Sequence, residues 1–168
     1  MDSKELKSLQ APLKEKYRKS PDLAMITLRA RGEIGENISC KIETGQALLE
    51  AGLHPATGGN GTLACSGDLL LESLVACAGV TLNSVATAID FKLHRGTIKA
   101  EGDLDFRGTL GVSKEVGVGF KAICLTFHLD TPETKERIET LLKLTERYCV
   151  VYQTLCAGVP LKTTIKKA

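Results

Sequence analysis

The 168-residue chain contains no tryptophan, and aromatic residues make up only 4% of it. Proteins that grip single-stranded nucleic acid stack bases on aromatic rings, so that platform is missing. There is no surplus of one charge either: 22 lysines and arginines stand against 20 aspartates and glutamates, a formal net charge of +2. An extended nucleic-acid footprint would need a clustered basic face, and none is expected. None of the six cysteines (Cys40, Cys65, Cys77, Cys124, Cys149 and Cys156) meets another at the short spacing of a structural zinc site, so neither a metal nor another cofactor is expected. The first residues lack an apolar run ahead of a small-residue cleavage site, from which a cytoplasmic location is expected. In that reducing compartment the cysteines are mainly small buried hydrophobes, and any disulfide is transient and chemical. The glycine-rich stretch from His54 to Thr62 has neither the Lys-Ser/Thr of a phosphate loop nor GxGxxG spacing, and reads as a loop that lets backbone pass close to a pocket.

Against these absences stands one long apolar segment, CSGDLLLESLVACAGVTLNSVATAIDF, from Cys65 to Phe91. No proline interrupts it, and Leu69, Leu70, Leu71, Leu74, Val75, Val80, Leu82, Val85 and Ile89 cover a helix on nearly every side. Such a helix belongs in an interior. Gly67 and Asp68 form its start signal, because a carboxylate beside exposed N–H groups caps a helix and complements its dipole. About 20 apolar residues could also cross a bilayer. Glu72 in the run, which would cost a few kcal/mol in lipid, and the polar Ser73, Thr81, Asn83, Ser84 and Thr87 favour the core of a protein outside the membrane. With 43% hydrophobic and 25% charged residues, the chain is expected to form one domain, or half of an intertwined dimer.

The remaining chain alternates strands and helices. Residues 2–19 carry Leu6, Leu9 and Leu13 among charges and read as a short amphipathic helix or arm, interrupted by Pro12. Leu23 to Arg31 and Asn37 to Glu43 read as an antiparallel hairpin turned by Gly32, Gly35, Glu36 and Asn37, with Cys40 on the core face. Ala47 to Ala51 reads as a third strand or a helical turn. Thr97 to Phe106 and Phe120 to Asp130 alternate apolar residues as strands joined by a glycine-rich connection, with Cys124 facing away from the core. Thr131-Pro132-Glu133 has the composition of a helix start. The helix that follows puts Ile138, Leu141, Leu142, Thr145, Tyr148 and Cys149 on one face. Val150 to Ala157 reads as a further turn or short helix stopped by Gly158 and Pro160, and Leu161 to Lys166 as a last strand. Two apolar-facing helices thus each present a thiol, Cys77 and Cys149, to the interior.

The segments around these thiols, SGDLLLESLVACAGVTL and LTERYCVVYQTL, resemble the paired motifs of the OsmC/Ohr superfamily, osmotically induced protein C and the organic hydroperoxide resistance proteins. Those motifs have the forms P-x-E-L-L-L-A-A-L-x-x-C and A-x-x-x-C-P-V-S-x-T-L. The resemblance, to the OsmC-like branch, implies an α+β fold. A strongly curved antiparallel sheet would wrap on two central helices, with two chains intertwined as a homodimer. With the leucine pattern of the first segment, the chain reads as an N-terminal helical arm over residues 1–20 and, from the resemblance, a single OsmC-like domain over 21–168. The resemblance also implies a thiol peroxidase: Cys77 attacks an organic hydroperoxide, Cys149 resolves the sulfenic acid as a disulfide, and a dithiol reductant reopens it. In such proteins an acidic residue, here Asp68, holds an arginine that stabilises the thiolate. No arginine here matches by motif, and Arg29 and Arg31 on the first hairpin are the candidates by position. The chain departs from the family in Asp68 for Glu, and in Val150 and Tyr152 for the Pro and Ser after the second cysteine.

The chemistry makes its own demands, since a thiol must be ionised to attack and a sulfenic acid must meet a second thiol before it over-oxidises. Alternatively, an OsmC-like protein without enzymatic activity would hold a hydrophobic ligand in an apolar pocket and leave its thiols idle. Glu72 could hold an arginine or reach solvent, and His54, read as a loop residue, could be the cation near the thiol. Cys156 reads as a core residue that could serve as an extra thiol. Partners other than a second copy, the hydroperoxide and the reductant, namely nucleic acid and membrane, are not expected.

Overall fold

The computed structural model describes residues 2–19, 31–35, 39–43, 48–111 and 113–167. It has a mixed α and β architecture. The first helix, α1 (Ser3–Lys19), runs unbroken through Pro12 and lies against the long central helix α2 (Ser66–Ala88). Strands β1 (Arg31–Gly35), β2 (Ser39–Glu43) and β3 (Leu48–Gly52) pair antiparallel in sequence order, and β4 (Ala64–Cys65) joins β3 in parallel. The expected hairpin is therefore present with a shifted register. Gly32 and Gly35 lie inside β1, paired with Ile42 and Ser39. Most of the first expected strand, residues 23–30, lies outside the described residues. Between β3 and β4 the glycine-rich stretch carries one 3-10 turn, Pro55–Thr57, started by His54, whose Nδ1 accepts the Ala56 N–H at 3.0 Å.

A second, two-stranded sheet pairs β5 (Arg95–Asp103) antiparallel with β6 (Ala122–Asp130). The register sets Ile98 opposite Phe127, Ala100 opposite Leu125 and Gly102 opposite Ile123. All six of these residues are half-buried, whereas Cys124 and His128 on the other face are exposed. Two glycines permit the close packing here. A Cβ on Gly79 of α2 would stand 3.3 Å from Ile98 Cδ1, and one on Gly102 would stand 2.5 Å from the Phe120 ring. Phe106 ends the expected strand early by entering a single helical turn, α3 (Phe106–Thr109). Asp105 caps it, accepting the Arg107 N–H at 3.1 Å, and also binds the Arg107 guanidinium at 2.6 Å and Lys121 Nζ at 2.9 Å. Those bonds, Arg107 foremost, hold the Asp105 carboxyl well below the usual carboxylate range.

Helix α4 (Lys135–Tyr148) begins later than the Thr131-Pro132-Glu133 signal suggests, because Thr134 is the N-cap and accepts from Arg137 N–H. Thr131 instead donates its hydroxyl to the Lys92 carbonyl, while Glu133 accepts the Lys92 N–H at 2.9 Å. Helix α5 (Val150–Ala157) follows directly, with Cys149 as both the end of α4 and the N-cap of α5. Gln153 Nε2 ties the two helices by donating to the Glu146 carbonyl at 2.9 Å.

The core lies between α2, α4 and the inner face of β6. On α2, Leu74, Ala78, Leu82, Val85 and Ala86 form the buried stripe. They recur at helical spacing, so only one side of the helix is covered. Leu82, Val85, Ala86, Phe91 and the fully buried Leu141 make one cluster, flanked by Phe127, Leu129 and Ile138. Burying a leucine side chain completely is worth about 1.5–3 kcal/mol. Within a single chain the rest of α2 is uncovered: Val80 is 74% exposed, and Leu70, Ser73, Ala76 and Asn83 are exposed on the same helix. By length and composition α2 could cross a membrane, but its buried stripe packs on protein. Two expectations are corrected. Tyr148 is 58% exposed because it sits in the last turn of α4, beside the Arg147 guanidinium. Residues 161–166 form no strand, since their alternating side chains meet no sheet edge and Leu161 and Ile165 are over 90% exposed.

Candidate functional site

Cys77 lies midway along α2, one turn after Leu74 and beside the buried stripe, and is half-buried. Its position follows from that stripe, which presses α2 onto α4 and α5. Cys149, 1% exposed, stands at the junction of α4 and α5, where its N–H continues the α4 ladder by donating to Thr145 O at 2.9 Å. Thr145, also buried, returns its hydroxyl to the Leu141 carbonyl at 2.8 Å, so no polar group is orphaned beside the thiol. The two cysteines are distant in sequence, yet the side chains meet: the Cys149 thiol lies against the Cys77 sulfur.

The surroundings separate the two thiols chemically. Burial pushes the Cys77 thiol up. The Val151 N–H, the Cys149 thiol, the Val150 N–H and the Thr81 hydroxyl, all aimed at its sulfur, outweigh that effect and bring it below the ordinary cysteine value. All four are uncharged donors, and two belong to the first turn of α5, where the helix dipole also favours an anion. Cys149 moves the other way. Burial raises it first, and proximity to Cys77 adds to the rise, while the Tyr152 and Val151 N–H groups pull against them. A pair so arranged has one sulfur poised to ionise and a neighbouring protonated sulfur in contact with it.

The other residues singled out in the sequence occupy other places. Asp68 is exposed in the first turn of α2, whose N-cap is Cys65 rather than Asp68. It shares a groove with Glu72, Val75 and Ala76, and neither carboxylate is among the groups aimed at the Cys77 sulfur. His54 stacks on Phe106 with ring centroids 4.9 Å apart, which assigns it to the turn before β4 and not to the thiols. Arg29 and the side chain of Arg31 lie outside the described residues, as does the Cys40 side chain. Cys156 is two helical turns beyond Cys149, about 10 Å along the axis, out of reach of a disulfide with it. Among the described residues no group of three His, Cys, Asp or Glu could hold a metal ion.

Thr81 and Tyr152 escaped sequence reasoning as site residues. The only signal for Thr81 was its position one turn after Cys77, at i+4. Tyr152 lines a cavity of about 390 Å³ between α2, β6 and α5, together with Leu74, Ile123, Leu125, Leu155 and Cys156. Burial, followed by the Glu146 charge, raises the Tyr152 phenol above its ordinary value, and its hydroxyl bonds the Cys156 thiol. Lys121 and Glu146 add charge to the cavity's mostly apolar lining, which includes neither Cys77 nor Cys149.

The opposite shifts predict an order of alkylation. With iodoacetamide pulses across pH, read by peptide mass spectrometry, Cys77 reactivity should rise with thiolate fraction and level off below the pH of about 8.5 at which a free cysteine titrates. Cys149, protonated and buried, should label later and only at higher pH. Labelling of Cys149 ahead of Cys77 at neutral pH would contradict the polarity of the pair.

The family model for "OsmC-like protein" matches residues 59–164, the stretch that contains both thiols. The fold is similar to that of the OsmC-like protein of Mycoplasma pneumoniae, with a TM-score of 0.67 at 17% identity over 79% of this chain and 89% of that one. It is similar as well to an organic hydroperoxide resistance protein OsmC of Legionella pneumophila, with a TM-score of 0.63 at 19% identity over 78% and 90%. The organic hydroperoxide resistance protein of Elizabethkingia anophelis gives a TM-score of 0.63 at 18% identity over 80% and 90%. No curated protein matches the sequence. A match over more than half of the chain, centred on the paired-cysteine segments and carried by the same fold, means that this chain belongs to the OsmC-like family.

Proposed function

We propose that the protein is a thiol peroxidase that reduces organic hydroperoxides, with Cys77 as the attacking thiolate and Cys149 as the resolving thiol. The observation that carries this reading is the contact between two thiols whose environments shift them in opposite directions. The Cys77 thiolate attacks the terminal oxygen of R–O–O–H, the O–O bond breaks, and the leaving alkoxide takes a proton and departs as the alcohol. Cys77 is then a sulfenic acid, oxidised by two electrons. The Cys149 thiol displaces its hydroxyl as water, and the S–S bond closes. A dithiol reductant takes that disulfide back to two thiols by exchange. The names of the Legionella and Elizabethkingia proteins support this chemistry by analogy of fold. Asp68, Arg29 and Arg31 keep the place that family resemblance gives them, as an acid and two candidate cations for the thiolate.

We also infer a cytoplasmic homodimer. The support is the uncovered face of α2, with Val80 74% exposed and Leu70 and Ala76 beside it, and the extended Leu161 and Ile165 beyond α5. A second copy packed on these surfaces would return them to an interior, and the two sheets of each chain could then join into the curved sheet that the family resemblance implies. A single-chain mass in sedimentation equilibrium at micromolar concentration would end that reading. The apolar cavity of about 390 Å³ favours a second function, a binding protein for a hydrophobic ligand whose thiols are idle.

The two functions separate in a turnover assay. With cumene hydroperoxide and dithiothreitol, the parent should consume peroxide, and Cys77→Ser should reduce the rate to background. Cys149→Ser should lower sustained turnover by at least tenfold and leave Cys77 over-oxidised. Equal rates in parent and Cys77→Ser would remove the enzyme reading and leave the cavity as the functional feature.

A further inference from the structure

We infer that the backbone amide of Val150 is a thiolate-binding group for Cys77, available only because valine stands where the second motif of the family has proline. The inference deepens the reading of Cys77 as the attacking thiol. The first bond within α5 runs from Gln153 N to Cys149 O at 2.9 Å, so the N–H groups of Val150, Val151 and Tyr152 have no carbonyl partner in their own helix. Val150 turns its own towards the Cys77 sulfur alone, Val151 lies between the two sulfurs and acts on both, and Tyr152 turns its own towards Cys149. Every free donor of the helix start is thus aimed at one or both of the two thiols.

The backbone at this point would accept a proline. Cys149 has φ −73° and ψ 111°, close to the extended conformation that a residue before proline needs. Val150 is the first residue of α5, the position proline prefers in a helix. Its side chain is 69% exposed, so little packing depends on it. What proline would remove is the donor. The groups aimed at Cys77 include no cation among the described residues, which makes each amide a larger share of what holds the anion.

Val150→Pro is therefore a test that deletes one N–H and little else. The titration of Cys77, followed by the pH dependence of its alkylation, should move up by about one pH unit, which is about tenfold less thiolate at neutral pH. Val150→Ala retains the amide and should titrate with the parent, and circular dichroism of both variants checks the fold. A second readout needs no substitution at this position. In ¹⁵N-labelled parent protein the Val150 amide resonance should shift through the same pH midpoint as Cys77, and the shift should vanish in Cys77→Ser. A Val150→Pro protein that titrates with the parent, or a Val150 resonance that stays in place while Cys77 ionises, would overturn the inference. Neither readout uses hydroperoxide, so a parent protein without turnover would count against the peroxidase reading alone.

Discussion

The contact between α2 and α4 is the constraint on which the rest depends. Cys77 and Cys149 belong to different helices, and their sulfurs meet only because Leu82, Val85 and Ala86 of α2 close on Leu141 of α4. Apolar burial is not directional, so it brings the helices together without choosing their relative height. Polar bonds at the end of α2 make that choice. Arg137 of α4 donates to the Ile89 and Asp90 carbonyls at 3.2 and 3.0 Å, pairs with Glu133 at 2.6 Å, and lies over the Phe91 ring. These carbonyls end α2 and have no partner in its ladder, so a guanidinium there satisfies them and complements the helix dipole together.

With the helices so placed, the direct passage from α4 into α5 determines the chemistry. A single residue, Cys149, ends one helix and starts the next. The second thiol is consequently buried at a helix start, and the amides that follow it are free to face Cys77. Desolvation alone would raise both thiols; the donors reverse it for Cys77 only. Two α5 amides act on each sulfur, that of Val151 on both, so the asymmetry comes from the deeper burial of Cys149 and from the Cys149 thiol and Thr81 hydroxyl that only Cys77 receives. One sulfur is prepared to attack and the other to stay protonated until a sulfenic acid forms beside it.

Much of this was readable in the residues, for identifiable reasons. The unbroken apolar run of α2 and the 3.6-residue periodicity of Ile138, Leu141 and Thr145 placed both thiols on inward faces, and both are found there. The β5–β6 pair followed from strict alternation. Where local signals competed with tertiary bonds, the tertiary bonds prevailed. Thr131 and Glu133 have the composition of a helix start, but both are engaged with Lys92, and the helix begins at Lys135. Asp68 resembles a cap but sits within the first turn, because chain direction at β4 makes Cys65 the N-cap. The alternation of residues 161–166 is that of a strand, yet a strand exists only when paired with a sheet edge, and these residues pair with none of the described strands. Backbone amides as thiolate donors were beyond reach, since every residue but proline carries one and its direction is a property of the fold.

The central claim is that Cys77 and Cys149 form one redox couple. The most direct test is to treat the fully reduced protein with one equivalent of cumene hydroperoxide and follow intact mass and peptide maps over time. The account predicts a rapid loss of two hydrogens, about 2 Da, with a Cys77–Cys149 linkage as the single new bond. Oxidation scattered over Cys65, Cys124 and Cys156, with Cys77 and Cys149 still reduced, would contradict it.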